Sequence, residues 1–406
     1  MNFVGRAVEA VRASPRPVRA FLLGSVLLGA GCAFFEVLFN LYLQEIGLTK
    51  SEIGAVLSQR AAGTVLGAIA AGSPLQRKRP SLVFVISAFL VAASLFLLVY
   101  APSPLIREAA ATLYGFGVTF RFVGAAPFIF KNAEERNLTI LLGVDASIIF
   151  GAQFLGSVFA GGLFPIFHFA AGSDASSLRG VLLIGVVLVA AGGFVYLGTK
   201  PVQTSAQTEM AARAAPSPKP TLILLFKLCF PFALVGAGAG LTIPYLNLYF
   251  EDRFQAQPST ISIYYAAVSL ATTAVFFASP WMADRIGIIK SVVLSELLSI
   301  PFFIILAYST SLPLSVAAFL MRGALMNLPY PLYGNFIMRA VGAEHREFAN
   351  SLTKLAWNGS WVVTSRIAGE LLDKRDGDYT LVMLISAGLY FFASTSLWGF
   401  FRKAGY

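Results

Sequence analysis

Four ionisable side chains, Glu36, Arg60, Arg121 and Asp145, lie within long apolar runs of this sequence. An ionisable group near the centre of a bilayer costs roughly 2.5 kcal/mol or more, so it needs a partner or water and is a functional candidate. At about 1.5 Å per helical residue, Glu36 and Arg60 share one depth, and Arg121 and Asp145 share another. The sequence therefore predicts two carboxylate–arginine pairs, which have the chemistry to take up and release a proton.

Two roles are open for Glu36. It forms a static ion pair with Arg60, or it binds protons with Arg121 as its charge partner. Glu36 and Arg121 are expected about 10 Å apart along the helix axes, within reach of two long side chains. Asp145 is a second candidate for proton coupling, whereas a structural partner is favoured for Glu296. We expect proton coupling through Glu36, Arg121, Asp145 and Arg60.

A second set of residues combines aromatic rings, amides and arginines. Pro329 and Pro331 should break the apolar run that contains them, because proline removes a helical hydrogen bond. Freed carbonyls at membrane depth need a cavity or a protein partner, so this stretch forms a substrate wall or a gating kink. The residues expected to bind substrate are Asn40, Tyr42, Tyr114, Tyr245, Asn247, Asn327, Tyr330, Tyr333, Asn335, Trp357, Asn358, Trp361, Arg322 and Arg366.

The composition is that of a membrane protein. The chain is 57% hydrophobic and 12% charged, against about 25% charged residues in soluble domains. Its mean hydropathy is +0.74. A spanning helix needs about 20 apolar residues, and lipid leaves no other partner for backbone groups. The predicted spans are 20–44, 51–74, 80–101, 105–130, 138–166, 180–198, 221–250, 259–282, 289–310, 313–340, 347–371 and 380–401.

These spans predict an all-α membrane protein with twelve transmembrane helices in two six-helix, pseudo-symmetric halves. Lys and Arg concentrate in the loops on the side of the N-terminus, which places both termini in the cytoplasm. The first apolar run is too long for a cleaved signal and is read as the first span. The expected divisions are a tail over 1–19, a half over 20–198, a linker over 199–220, a half over 221–401 and a tail over 402–406.

An internal repeat supports the two halves. The phrase FNLYLQE at residues 39–45 returns as LNLYFED at residues 246–252. Gly151 and Gly161 of the fifth span match Gly359 and Gly369 of the eleventh at nearly the same offset. Parallel repeats of this kind are typical of one large transporter architecture.

With these features, the sequence resembles the major facilitator superfamily over residues 18–401. The loop PWMADRIG, residues 280–287, is similar to the superfamily signature G-x-x-x-D-R-x-G, with Pro280 at the first glycine position. The resemblance implies that Asp284, Arg285 and Gly287 take part in gating, with the Asp capping a helix of the opposite half. It also implies that spans 1, 4, 7 and 10 line the cavity. An acidic residue in span 1 facing an arginine in span 4 recurs in proton-coupled efflux members.

The function expected from these observations is secondary active transport of a small organic solute by alternating access. Proton-coupled efflux of amphipathic, drug-like compounds is one interpretation. Uptake or exchange of a nutrient or organic anion, bound by intramembrane arginines, is the alternative. The expected partners are a small-molecule substrate, protons and the lipid bilayer, and we expect a monomer in a bacterial inner membrane.

Several classes of function are not expected. The sequence contains no G-x-x-x-x-G-K-[ST] nucleotide loop, no HExxH and no G-x-S-x-G, so we expect neither an enzyme nor a bound cofactor. Cys32 and Cys229 each lie in an apolar run and form no metal spacing. The net charge of +10 falls in loops where it sets orientation, so a nucleic-acid partner is not expected.

Overall fold

The structure, a computed structural model, describes residues 3–71, 79–199, 220–342 and 345–402. The predicted linker, apart from Thr199 and Pro220, therefore lies outside the described residues, as do residues 1–2 of the first tail and 403–406 of the second. The described residues contain helices and no strand.

Of the helices that the structure describes, seven precede the linker and eight α-helices follow it. The first seven are α1 (Phe3–Ala13), α2 (Arg16–Glu45), α3 (Lys50–Ala70), α4 (Pro80–Tyr100), α5 (Pro104–Asn132), α6 (Glu135–Ala171) and α7 (Asp174–Tyr196). The others are α8 (Leu222–Thr242), α9 (Leu246–Phe254), α10 (Pro258–Ile286), α11 (Ile288–Tyr308), α12 (Leu312–Asn327), α13 (Tyr330–Ala340), α14 (Arg346–Lys374) and α15 (Thr380–Phe401).

Eleven helical stretches among the described residues are long and apolar enough to cross a membrane. Helix α14, which corresponds to the predicted eleventh span, is not among them, although its 29 residues are long enough. The reason is its polar content, because Lys354, Asn358, Arg366 and Glu370 all lie along it.

Local sequence signals account for the helix ends. Proline stands in the first turn of α4, α5 and α10, where its missing N–H and fixed φ favour a helix start. Gly172 ends α6 at a φ of 70°, the left-handed conformation that glycine adopts without strain. The break predicted from Pro329 and Pro331 is confirmed, because α12 ends at Asn327 and α13 begins at Tyr330.

The chain forms two compact units. Unit 1 comprises Met1–Ile46 and Ala62–Arg213, and unit 2 comprises Gly47–Ala61 and Ala214–Tyr406. The first turns of α3 thus pack with unit 2, although the sequence repeat assigns them to the first half. Within unit 1, α2 packs on α6 and α7, and α4 packs on α5 and α7. Within unit 2, α8 packs on α14 and α15, and α11 packs on α12 and α15.

Candidate functional site

A buried ion pair lies in the interior of unit 1. Arg121 of α5 is 3% exposed, and its Nη2 donates to Oδ1 of Asp145 on α6 at 2.5 Å. The Nε of Arg121 donates to the Ser25 hydroxyl of α2 at 3.2 Å, and that hydroxyl lies 3.1 Å from the Tyr196 hydroxyl of α7. Four helices of one unit therefore meet around a single guanidinium.

Aromatic rings surround this guanidinium. It lies 5.7 Å from the ring centre of Phe21, and the Phe84 ring of α4 lies 5.0 Å from Phe21 and 5.7 Å from Tyr196. A Cβ on Gly24 would lie 2.5 Å from the Tyr196 ring, so glycine is what lets α2 approach the tyrosine. The rings exclude water from the pair, which strengthens its electrostatic attraction.

The same arrangement recurs in unit 2. Arg322 of α12 is 4% exposed, and its Nη2 donates to the Tyr390 hydroxyl of α15 at 2.7 Å. Its guanidinium lies 4.7 Å from the ring centre of Phe303 on α11, and Phe303 lies 5.3 Å from Tyr390. A Cβ on Gly238 of α8 would lie 2.8 Å from the Tyr390 ring. Each unit thus buries an arginine close to a tyrosine of its last described helix.

The two arginine centres differ in their carboxylates. Arg322 forms no ion pair with a described residue, and its buried Nε has no hydrogen-bond partner there. The offset that relates Gly151 to Gly359 makes Thr353 the counterpart of Asp145 in unit 2. The buried carboxyl of unit 2 is Glu296 instead, which accepts hydrogen bonds from the hydroxyls of Tyr333 and Ser394. Glu296 therefore has the structural partners expected from the sequence, and they are hydroxyls.

The structure brings Arg121 together with Asp145 rather than with Glu36. Ser25, which touches Arg121, lies eleven residues before Glu36 on α2, or about 16 Å along the helix. Glu36 is half-buried and belongs to unit 1, and Arg60 is half-buried and belongs to unit 2. The expected partnership of Glu36 with Arg121 is not tested by these contacts and stays a prediction.

Three residues predicted to bind substrate are buried inside unit 1. Asn40 is 6% exposed, Tyr42 1% and Tyr114 3%. The Tyr42 hydroxyl donates to the Val99 carbonyl at 2.8 Å and accepts from Nε of Arg179 at 3.4 Å. Tyr42 therefore connects α2 with α4 and α7.

Two predicted substrate-binding residues, Asn247 in the second copy of the repeated phrase and Tyr245 just before it, are buried inside unit 2. The Tyr245 hydroxyl donates to the Ser365 carbonyl of α14 at 2.7 Å, and Oδ1 of Asn247 accepts from the Leu248 backbone N–H at 3.0 Å. Both side chains are almost completely buried. Asn40 and Asn247, which occupy the same position of the repeated phrase, are therefore both buried.

The predicted residues around the α12–α13 break face different surroundings. Asn327 donates to the Gly323 carbonyl of its own helix, and Asn335 accepts from Arg339. Tyr333 is bonded to Glu296, whereas Tyr330 is 61% exposed and stacks on Phe276. Of the two tyrosines after the break, Tyr333 therefore contacts the buried Glu296, whereas Tyr330 is exposed.

The predicted residues of α14 also divide. Nε of Arg366 lies 3.7 Å from Glu370 on an exposed surface, and Asn358 donates to the Lys354 carbonyl. The backbones of Trp357 and Trp361 lie against Gly236 and Gly240 of α8, respectively. The buried Nε1 of Trp361 has no hydrogen-bond partner among the described residues.

The predicted gating residues lie at the end of α10. Asp284 and Arg285 are exposed, and the Arg285 guanidinium lies 4.4 Å from the Trp281 ring centre. Gly287 joins α10 to α11 at a φ of 87°, a conformation that strains any residue with a Cβ.

A charged cluster at the other end of unit 2 was not predicted from the sequence. Asp373 of α14 accepts from the backbone N–H groups of Lys50 and Ser51 at 2.9 and 2.8 Å. The Lys50 Nζ lies 2.6 Å from Asp252 of α9, which also accepts from the Tyr379 hydroxyl at 2.7 Å. A cavity of about 640 Å³ is lined by Lys50, Asp252, Asp373 and Tyr379 among others. The members of the cluster are spread over several segments of the chain, so no local motif marks it.

Sequence comparison identifies the family of this chain. The family model described as Major Facilitator Superfamily matches residues 21–365 and 228–405, which together cover nearly the whole chain. The chain belongs to the Major Facilitator Superfamily. It is therefore a multi-pass membrane transporter and not an enzyme. A search of curated protein sequences found no match.

Solved structures show the same fold in other transporters. The nucleoside transporter NupG has a TM-score of 0.75 at 15% identity, covering 96% of this chain and 100% of its own. The D-xylose-proton symporter has a TM-score of 0.73 at 14% identity, covering 94% and 97%. A bacterial homologue of the iron transporter ferroportin has a TM-score of 0.71 at 16% identity, covering 94% and 98%. At these identities, the likeness establishes the fold.

Proposed function

We propose that this chain is a proton-coupled secondary transporter that works by alternating access. A binding site opens in turn to each side of the membrane, and a proton gradient supplies the energy. The observation that carries the proposal is the Arg121–Asp145 pair, which lies inside an apolar helix bundle with side-chain exposures of 3% and 12%.

The pair has the properties of a coupling element. Neutralising Asp145 leaves Arg121 as a buried cation, and breaking a buried pair by removing one partner costs about 3–5 kcal/mol. A proton on Asp145 therefore shifts the energy of unit 1 by an amount large enough to change its preferred conformation. Glu36, half-buried on the same helix as Ser25, is proposed as a second proton-coupling carboxylate.

For the substrate and direction, we propose export of amphipathic or drug-like compounds. Support comes from the abundance of aromatic residues, including 36 Phe, and from Trp361, whose buried Nε1 has no hydrogen-bond partner among the described residues.

Uptake or exchange of a nutrient or organic anion is the second candidate. It is favoured by Arg322, a buried cation without an ion pair to any described residue. D-xylose is named for one protein of this fold and nucleosides for another, so neutral polar solutes belong in the same test.

Counterflow in proteoliposomes tests both candidates. The purified chain is reconstituted with a pH-sensitive dye inside, and ethidium, uridine, xylose and benzoate are each added with and without a pH gradient. Proton-coupled export predicts that the gradient drives ethidium movement and that ethidium moves protons. Benzoate-dependent proton movement would instead support the anion candidate. Net transport that no pH gradient accelerates, of a compound that does exchange in counterflow, would contradict proton coupling.

A further inference from the structure

A groove of about 580 Å³ lies on the surface of unit 1, between the first turns of α2 and the last turn of α7. Its walls are held close together, because a Cβ on Gly198 would lie 3.2 Å from the Cβ of Ala20. The residues that line it are Arg16, Arg19, Ala20, Leu23, Phe194, Val195, Leu197 and Gly198.

One end of the groove carries two unneutralised positive charges. Arg16 and Arg19 are both exposed, and neither side chain forms a hydrogen bond or ion pair with a described residue. They are three residues apart on α2, so their side chains lie on one face of the helix. The lining contains no carboxylate among the described residues, so the groove attracts an anion.

The other end of the groove is apolar and exposed. Leu23 is 54% exposed, Phe194 63% and Leu197 55%. Helices α2 and α7 both qualify as membrane spans, so these side chains face the hydrocarbon layer close to where the helices leave it. Leu23 lies four residues, or about 6 Å, deeper along α2 than Arg19. The groove therefore changes from cationic to apolar within about one helical turn.

We propose that this groove binds an anionic phospholipid. Arg16 and Arg19 donate to the phosphate, because guanidinium groups match phosphate oxygens in geometry and charge. Leu23, Phe194 and Leu197 pack on an acyl chain. Basic pockets between helices at a membrane surface select anionic headgroups in this way. A soluble phosphate gains nothing from the apolar wall, so the lipid is favoured over the free anion.

Native mass spectrometry of the full chain in detergent tests the site. Phosphatidylglycerol, phosphatidylcholine and inorganic phosphate are titrated against the wild type, R16Q/R19Q and R12Q/R402Q. The control pair removes the same charge from two exposed arginines outside the groove. We expect the wild type to prefer phosphatidylglycerol, and R16Q/R19Q to weaken that binding about 25-fold, as roughly fivefold for each arginine implies. R12Q/R402Q should change it less than about twofold.

Three outcomes would overturn the proposal. R16Q/R19Q binding phosphatidylglycerol like the wild type would show that the arginines serve only membrane orientation. An equal loss in R12Q/R402Q would show a general charge effect. Displacement of phosphatidylglycerol by inorganic phosphate would show an anion site without a lipid contribution. Both arginine side chains are exposed and form no hydrogen bond or ion pair with a described residue, so the double variant should fold, which its thermal unfolding curve checks.

Discussion

The two buried arginines, Arg121 and Arg322, form side-chain hydrogen bonds with different kinds of partner. Arg121 has a carboxylate and a hydroxyl, whereas the one hydrogen bond that Arg322 makes to a described residue is to Tyr390. Burying a charge without full compensation is expensive, so each remaining contact of Arg322 matters more. This difference between equivalent positions can be measured.

The first prediction is a matched pair of tyrosine variants. Y390F removes the hydroxyl that accepts from Arg322, and we expect it to lower the free energy of unfolding by about 1.5–3 kcal/mol, the range for a hydrogen bond to a charged group. Y196F should cost less, because Arg121 keeps Asp145 and Ser25. Thermal unfolding in detergent compares the two variants, and equal losses would contradict this account of the arginine centres.

The second prediction concerns Glu36. E36Q removes a proposed proton-binding carboxylate while keeping its size. We expect transport driven by a pH gradient to be lost while substrate exchange continues, since exchange needs no net proton movement. E370Q, which alters an exposed carboxylate paired at 3.7 Å with Arg366, is the control and should transport normally. Full gradient-driven transport by E36Q would remove Glu36 from the mechanism.

At the scale of elements, the N-terminus of α3 is completely capped. Thr49 and Glu52 form a reciprocal capping box, with each side chain accepting the other's backbone N–H. The Asp373 carboxylate accepts hydrogen bonds from the backbone N–H groups of Lys50 and Ser51, which have no acceptor within the helix. A Cβ on Gly369 would overlap the Lys50 carbonyl oxygen, so glycine permits the close packing of α3 on α14.

The third prediction follows from this cap. D373N halves the carboxylate's capacity to accept from Lys50 and Ser51, and loss of a helix cap costs about 1 kcal/mol. We expect faster amide hydrogen exchange over residues 47–58. D376N removes the same charge three residues away, at a left-handed position that Asn tolerates, and should leave exchange unchanged. Equal exchange in the two variants would show that Asp373 does not hold α3.

The elements themselves were largely predictable from the sequence, and their side-chain contacts were not. Length and apolar content determine a spanning helix, and prolines determine breaks such as the one at Pro329. Helix α14 was also predicted as a span from the length of its apolar run, although its polar residues keep it out of the eleven spanning stretches. The Arg121–Asp145 pair was predicted because the two residues lie at similar distances, counted in residues, from the loop that joins their consecutive helices. Tyr196, Tyr390 and Asp373 were missed, because their partners lie on helices distant in sequence.

At the scale of the whole molecule, each unit repeats one packing scheme around one buried arginine, and among the described residues only unit 1 supplies that arginine with a carboxylate. Because unit 2 has no such carboxylate among its described residues, we place the proposed proton binding in unit 1. Our central claim is therefore that Asp145, in unit 1, couples proton movement to transport.

Substrate-dependent proton flux in proteoliposomes tests this claim most directly. The wild type, D145N and E370Q are compared with whichever compound the wild type moves in counterflow. We predict that the compound moves protons through the wild type and E370Q, whereas D145N exchanges the compound without moving protons. Proton flux through D145N equal to that of the wild type, at equal counterflow, would contradict the claim.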